Sequence, residues 1–291
     1  MTDNRHQIRD VFIHTVAAGT NDLISASYPA LLSQTPDGSS GLTSFSTSSN
    51  GLFVAFYSDA DNLVANDTNG CRDVFVRDLV GGTNILVSVN TNGSASGYGL
   101  SSDPAISADG RYVAFTSSAD NLVAGDTNWA QDVFIRDLQA GTTALVSVST
   151  DGVHPGNGDS FSPTISASGR YVLFHSKASN LAAGSFGSSI ENLFFRDLQT
   201  GTTYALTYAT SGTGVNSASM TPDGQSVAFI GTAAGVLAGT QLYVWNSQLT
   251  ARTYTNSATF SSATFPVVAI SPNGQKLAYL SSSISSLSGA D

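Results

Sequence analysis

The chain has 291 residues, 21 Asp and Glu against 11 Lys and Arg, and a net charge of −10. Its basic residues are scattered singly, which excludes nucleic acid and anionic membrane surfaces as partners, since both need clustered Lys and Arg. The single cysteine, Cys71, rules out an internal disulfide and a thiolate zinc site, and the absence of any run of 18 apolar residues rules out insertion into a membrane as a helix.

With 41% hydrophobic and only 11% charged residues, the chain can bury a core. The low-lysine, Ser/Thr/Gly-rich composition fits an extracellular, cell-surface or periplasmic protein, although Met1–His6 carries no apolar signal-peptide core.

In chain order, the first landmark is Asp10-Val11-Phe12-Ile13-His14. It returns as Asp73-Val74-Phe75-Val76-Arg77-Asp78, as Asp132-Val133-Phe134-Ile135-Arg136-Asp137, as Asn192-Leu193-Phe194-Phe195-Arg196-Asp197 and as Gln241-Leu242-Tyr243-Val244-Trp245-Asn246. Interleaved with it is a turn glycine followed by an apolar run, at Gly51, Gly110, Gly169, Gly224 and Gly274, with spacings of 59, 59, 55 and 50 residues. Five returns at this period mark a propeller or array.

Within the clearest unit, four strands are expected. Strand A is 104–107; the Asp109-Gly110 turn joins it to strand B, 112–117; strand C is 133–138; Gly141-Thr142 joins it to strand D, 144–149. Strands B and C carry large apolar residues on both sides of the pleat, so both faces must be covered by neighbouring sheets. The chain begins just before a strand C and stops at Ser288-Gly289-Ala290-Asp291, in a loop that follows a strand B. The expected architecture is therefore one all-β domain over 1–291. It is a five-bladed β-propeller of four-stranded antiparallel blades, closed by N-terminal strands at 10–16 and 23–27 that complete the C-terminal blade. Six blades is the structural alternative.

Asp-Gly-Arg-Tyr-Val-Ala-Phe at 109–115 followed by Asp-Val-Phe-Ile-Arg-Asp at 132–137 resembles the tryptophan-aspartate-like propeller repeat of the TolB family. The resemblance covers nearly the whole chain and implies a docking surface; related blades also flank peptidase domains. Five units in place of six, and no separate N-terminal domain, depart from the TolB pattern, so a TolB-like partner does not carry over.

Function is expected on the face where the B-to-C loops and the D-to-A crossings emerge, because these are the longer loops. There Asp67, Asn69 and Asp73, and their copies Asp126, Asn128 and Asp132, offer alternating oxygens that suit calcium. The same residues also cap turns with no metal at all. Tyr98, Trp129, His154 and Phe161 lie in loops where a core role is less obvious, with Asp103 and Asp159 beside the strand A entries, which together suggest a small-ligand or glycan site. The strand A runs themselves carry no carboxylate, and no Gly-x-Ser-x-Gly elbow is present, which argues against a glycosidase or esterase. Repeated Arg-Asp pairs such as Arg136-Asp137 read as scaffold, with Asp132 and Arg136 on one side of the strand and paired between strands. The sequence thus points to a non-catalytic binding or assembly module for a protein or glycan partner, with calcium in its loops and self-assembly compatible with its few charges. A lectin and a five-bladed glycosidase are the alternatives.

Overall fold

The computed structural model describes residues 9–27, 36–211, 214–232, 241–256 and 267–280, and every regular element among them is a strand. The chain opens with Phe12–Thr15 (β1) and Thr20–Leu23 (β2). A first four-stranded sheet follows from Ser40–Gly41 (β3), Phe53–Ser58 (β4), Asp73–Asp78 (β5) and Thr83–Leu86 (β6). The second is Ser101–Ile106 (β7), Tyr112–Ser117 (β8), Asp132–Asp137 (β9) and Thr142–Leu145 (β10). The third is Ser160–Ile165 (β11), Tyr171–Ser176 (β12), Asn192–Asp197 (β13) and Thr202–Ala205 (β14). The fourth is Val215–Met220 (β15), Ser226–Gly231 (β16), Gln241–Asn246 (β17) and Ala251–Asn256 (β18), and Val268–Ile270 (β19) pairs with Leu277–Tyr279 (β20). Each four-stranded sheet is an antiparallel meander in sequence order.

The turns make the meander. Gly110 takes φ 80°, a left-handed conformation that β-carbons disfavour, while Asp109 Oδ1 accepts from the Arg111 amide (3.0 Å) and the Ser107 hydroxyl (2.6 Å). These bonds close the turn between β7 and β8. The β8–β9 register sets Phe115 against Phe134 with ring centroids 5.8 Å apart, and Phe56–Phe75 (5.6 Å) and Phe174–Phe194 (5.8 Å) repeat the pair in the neighbouring sheets.

Sheets stack because both faces of each are apolar. Ala55, Val74 and Val76 of the first sheet pack on Val113 and Phe115 of the second, and Ala114, Val133 and Ile135 of the second pack on Val172 and Phe174 of the third. Glycine sets how closely they approach. A β-carbon on Gly110 would sit 2.2 Å from the Phe53 ring, on Gly169 2.2 Å from Tyr112, and on Gly224 2.3 Å from Tyr171. The first strands also reach the sheet before them: the Ile106 amide donates to the Phe45 carbonyl in the β3–β4 connection (3.0 Å), and the Val268 amide to Ser217 Oγ of β15 (3.1 Å).

The terminal pairs are half-sheets of opposite type. The Ile24 amide donates to the Val11 carbonyl at 2.8 Å, the same bond that Val87 makes to Val74, Val146 to Val133 and Leu206 to Leu193 just past the C–D ladders. So β1–β2 is a C–D half, and it packs on the first sheet through Val11 and Ile24 against Val54, Phe56 and Phe75. β19–β20 is an A–B half packed on the fourth sheet. The strand expected at 23–27 lies instead at 20–23: pairing starts at Thr15–Thr20, directly after the Gly19 turn, and the ladder ends at Phe12–Leu23. Among the described residues the two halves remain separate two-stranded sheets. The expected joint at Ser288–Asp291 falls outside the described residues.

Strands A also start earlier than expected. β7 runs from Ser101 and contains Asp103, which sits at a register shift with φ 52°. The expectation that strands A carry no carboxylate is therefore corrected, because the ladder resumes on the far side of the Asp103-Pro104 bulge, through Ser101–Ser117.

Candidate functional site

The loop 118–131 connects β8 to β9, and a hydrogen-bonded clamp holds its end. Asp132 Oδ1 accepts from Ser147 Oγ (2.5 Å) and its Oδ2 from Asn128 Nδ2 (2.6 Å). The same Asn128 nitrogen donates to the Gly156 carbonyl (2.7 Å), and Asn128 Oδ1 accepts from the Ala130 amide (2.9 Å). One asparagine thus joins its own loop to the crossing that leads into the third sheet. The first sheet repeats this with Asn69 donating to Asp73 (2.7 Å) and Gly97 (2.6 Å), and with Ser88 donating to Asp73. Burial pushes the Asp132 carboxyl up to about 7, with Asp126 and Asp159 adding to the rise and the Ser147 and Asn128 bonds opposing it. Asp67 and Asp73 are likewise held above the usual carboxylate range, chiefly by burial.

Calcium needs six to eight oxygens. Asn69 and Asn128 turn nitrogens toward the carboxylates, and both Asp132 oxygens are already occupied, so these loops fit the turn-capping alternative better than an oxygen cage. Flipping either amide would set its oxygen against a carbonyl and a carboxylate. Among the described residues no three His, Cys, Asp or Glu side chains gather as a metal set. Asp67 differs from the rest: it is 4% exposed and neither oxygen makes a well-aligned hydrogen bond, although Ser96 and Asp73 stand near enough to influence its acidity.

Beside the clamp lies an open cleft of about 230 Å³ lined by Tyr98, Ser118, Asp120, Asp126, Trp129 and Ala130. Trp129 is 88% exposed and Tyr98 76% exposed. Trp129 has φ 57°, and the copy of this position in the first sheet is Gly70, with φ 64° and open space around it. A bulky residue in a left-handed turn costs about 1 kcal/mol. This tryptophan is therefore held in an unfavourable backbone well while burying almost nothing. Burial also raises the Asp126 carboxyl, with the Asn128 backbone amide opposing.

Of the expected ligand residues, the structure brings together Tyr98, Trp129 and Asp126 and leaves the others apart. His154 Nδ1 contacts Asp151 Oδ2 at 2.8 Å within its own turn. Asp159 meets Lys177 at 3.4 Å, and Phe161 stacks near His175 with centroids 5.9 Å apart. Asp103 lies in β7 with its carboxyl raised by burial, and the charge of Arg72, which itself holds Asp59 in a two-pronged pair (2.8 and 3.0 Å), opposes that rise. Ser118 was not singled out from sequence; its signal was position, one residue past the end of β8. The expected Asp132–Arg136 pairing is also corrected. Arg111 grips Asp137 (2.6 Å) and Arg170 grips Asp197 (2.7 Å), whereas Arg136 and Arg196 donate to Thr143 (3.0 Å) and Thr203 (2.7 Å).

No family model matches the chain, and no curated protein matches it. Solved structures do. An oligogalacturonate lyase in complex with manganese aligns over 94% of this chain and 66% of its own, at 15% identity and a TM-score of 0.51. TolB from Acinetobacter baumannii aligns over 84% of this chain and 47% of its own, at 18% identity and a TM-score of 0.46. The chain thus spans about half the length of that protein. The fold is a stack of four-stranded antiparallel sheets of the propeller kind. At these identities the likeness is one of fold alone. It nevertheless corrects the expectation of a non-catalytic chain: a lyase shares this fold, and β7 carries a carboxylate where none was expected. No helix among the described residues is long and apolar enough to cross a membrane.

Proposed function

We propose that this propeller is a recognition module acting outside the cytoplasm, and that it reads a partner with the loop face of its second blade. The observation that carries the reading is Trp129: an exposed indole kept in a left-handed turn where the preceding copy has glycine. Folding gains nothing from it there, whereas a flat ligand surface would. Glycan is the class this cleft favours, because sugar faces stack on Trp129 and Tyr98 while Asp120, Asp126 and Ser118 stand ready for hydroxyls. As part of the same proposal, β19–β20 and β1–β2 form one blade and close a ring of five; the A–B type of the first pair and the C–D type of the second support it.

The chain has only two tryptophans, and Trp245 is 5% exposed, so a solvent-sensitive change in emission belongs to Trp129. Titration with an oligosaccharide panel should blue-shift and saturate that emission, and a Trp129→Gly variant should stay silent. A flat response across the panel, with the fold intact by circular dichroism, defeats the glycan reading. For calcium the proposal narrows to Asp67, whose buried oxygens, lacking a well-aligned hydrogen bond, a cation would satisfy. Calcium should then raise the melting temperature of the parent chain and leave an Asp67→Asn variant unmoved.

A further inference from the structure

The repeat builds the same cleft between successive blades several times, which gives each copy an internal control. In every copy the third residue of a blade's outer strand faces the fifth residue of the next blade's third strand. The facing positions are Asp22 and Arg77, Ile85 and Arg136, Ala144 and Arg196, and Tyr204 and Trp245. Two copies confirm that these residues meet. Asp22 and Arg77 line one cleft, and the charge of Asp22 favours that of Arg77; the rings of Tyr204 and Trp245 lie 5.5 Å apart.

Arg136, facing Ile85, also meets no carboxylate from the neighbouring blade, but the copy between the second and third blades differs in leaving space there. Alanine stands at the facing position, and a cavity of about 520 Å³ opens beside Arg196. Arg196 Nη1 donates to Thr203 Oγ1 (2.7 Å), and its Nε is buried with no acceptor. The adjacent carboxylate, Asp197, is taken by Arg170 (2.9 and 2.7 Å). Among the described residues no carboxylate lies within ion-pair distance of Arg196, in a chain whose acids outnumber its bases 21 to 11. A guanidinium drawn partly out of water without a counter-charge is unfavourable, and burial accordingly lowers its pKa.

We propose that this cavity binds the carboxylate of a small organic acid, with Arg196 as its counter-ion and Ile135, Leu145 and Leu198 against its apolar body. A carboxylate fits better than a phosphate for two reasons. The first cleft answers the equivalent arginine with the carboxylate of Asp22, and the cavity stands where Ala144 withholds one. Arg170, the other arginine on the wall, has its charge matched by Asp197, and Asp137, the carboxylate on the wall, is matched by Arg111 (2.6 Å), so a single positive charge remains to be met. The site lies by the turns at Gly141 and Gly169, away from Trp129, and does not rest on the reading of that cleft.

The test uses hexanoate as the acid and hexanamide as its uncharged counterpart, read by calorimetry and thermal melting at fixed ionic strength. Hexanoate should bind and raise the melting temperature, hexanamide should not, and Arg196→Met should weaken binding on the order of tenfold or more, the weight of one charge-assisted contact. Ala144→Asp restores to this cleft the carboxylate that Asp22 supplies in the first, so it should melt higher than the parent without ligand and ignore hexanoate. That variant keeps the test decisive if Arg196→Met does not fold. Equal responses to acid and amide, a hexanoate effect no larger than that of chloride, or undiminished hexanoate binding by Ala144→Asp would each overturn the proposal.

Discussion

In the second blade the loop from β8 to β9 sends Trp129 into solvent, whereas in the third the loop from β12 to β13 folds Phe186 inward, 5.5 Å from Phe194 and 5.3 Å from Tyr208. The clamps differ as well. Asp132 in the second blade becomes Asn192 in the third, which accepts from Thr207 Oγ1 (2.9 Å) and the Ala209 amide (2.8 Å). Beneath both loops the frame is the same, down to the stacked phenylalanines. A neutral clamp and an inward aromatic are therefore sufficient to fold a blade. The ionisable clamp and the outward tryptophan of the second blade call for a reason other than folding.

The comparison breaks first if the frames are not equivalent. Phe134→Ala and Phe194→Ala each remove a fully buried ring and should each cost about 3–5 kcal/mol in denaturant unfolding; a large inequality would mean that the two blades are held differently. Next is the clamp. Folded Asp132 keeps its proton to about pH 7, while the unfolded chain releases it near pH 4. Unfolding in this window releases a proton, so stability falls as pH rises from about 4 to about 7, by on the order of 2–4 kcal/mol from this group. Asp132→Asn, which copies the third blade, should flatten that slope in melts taken from pH 5 to 8; an unchanged slope would show that the carboxyl titrates normally.

The loops themselves come third. Phe186→Ala should cost about 2 kcal/mol, since a half-buried ring loses part of what a core ring loses. Trp129→Gly gives the smallest effect and the opposite sign. Relief of the left-handed backbone should stabilise the chain by about 1 kcal/mol, visible as a higher melting temperature. A loss there would mean that the indole packs on something, and the contrast between the loops would fail.

The frame was legible in the sequence because its signals are local. Glycine turns, aromatic runs and the fixed spacing place β8 without error and β9 within one residue. Strand A was misjudged because Pro104 looks like a strand start, and only cross-strand pairing beyond the bulge reveals Ser101 and Asp103 as members. Strand D runs over Thr142–Leu145 and not 144–149, because its pairing with β9 starts at Thr142 directly after the Gly141 turn and ends at Leu145. Of the candidate site, the clamp residues were legible from their spacing, and so was the pairing of Tyr98 with Trp129 on one face. The Arg-Asp repeats misled, because neighbours on a strand point to opposite sides. Asp137 therefore finds Arg111, while Arg136, on the other side, donates to Thr143 of its own sheet. The cavity at Arg196 left no trace in any single repeat; it appears only when Asp22, Ile85 and Ala144 are compared as one position in three copies.

The glycines that let adjacent sheets approach have a consequence for how such chains arise. A middle unit supplies a notch for the ring before it and a ring for the notch after it, as Gly169 receives Tyr112 while Tyr171 enters the notch at Gly224. A tandem duplication of one whole unit would bring both halves of this fastening with it. Lengthening the array by copying needs no compensating change at either seam, and the pieces behave as interchangeable cassettes.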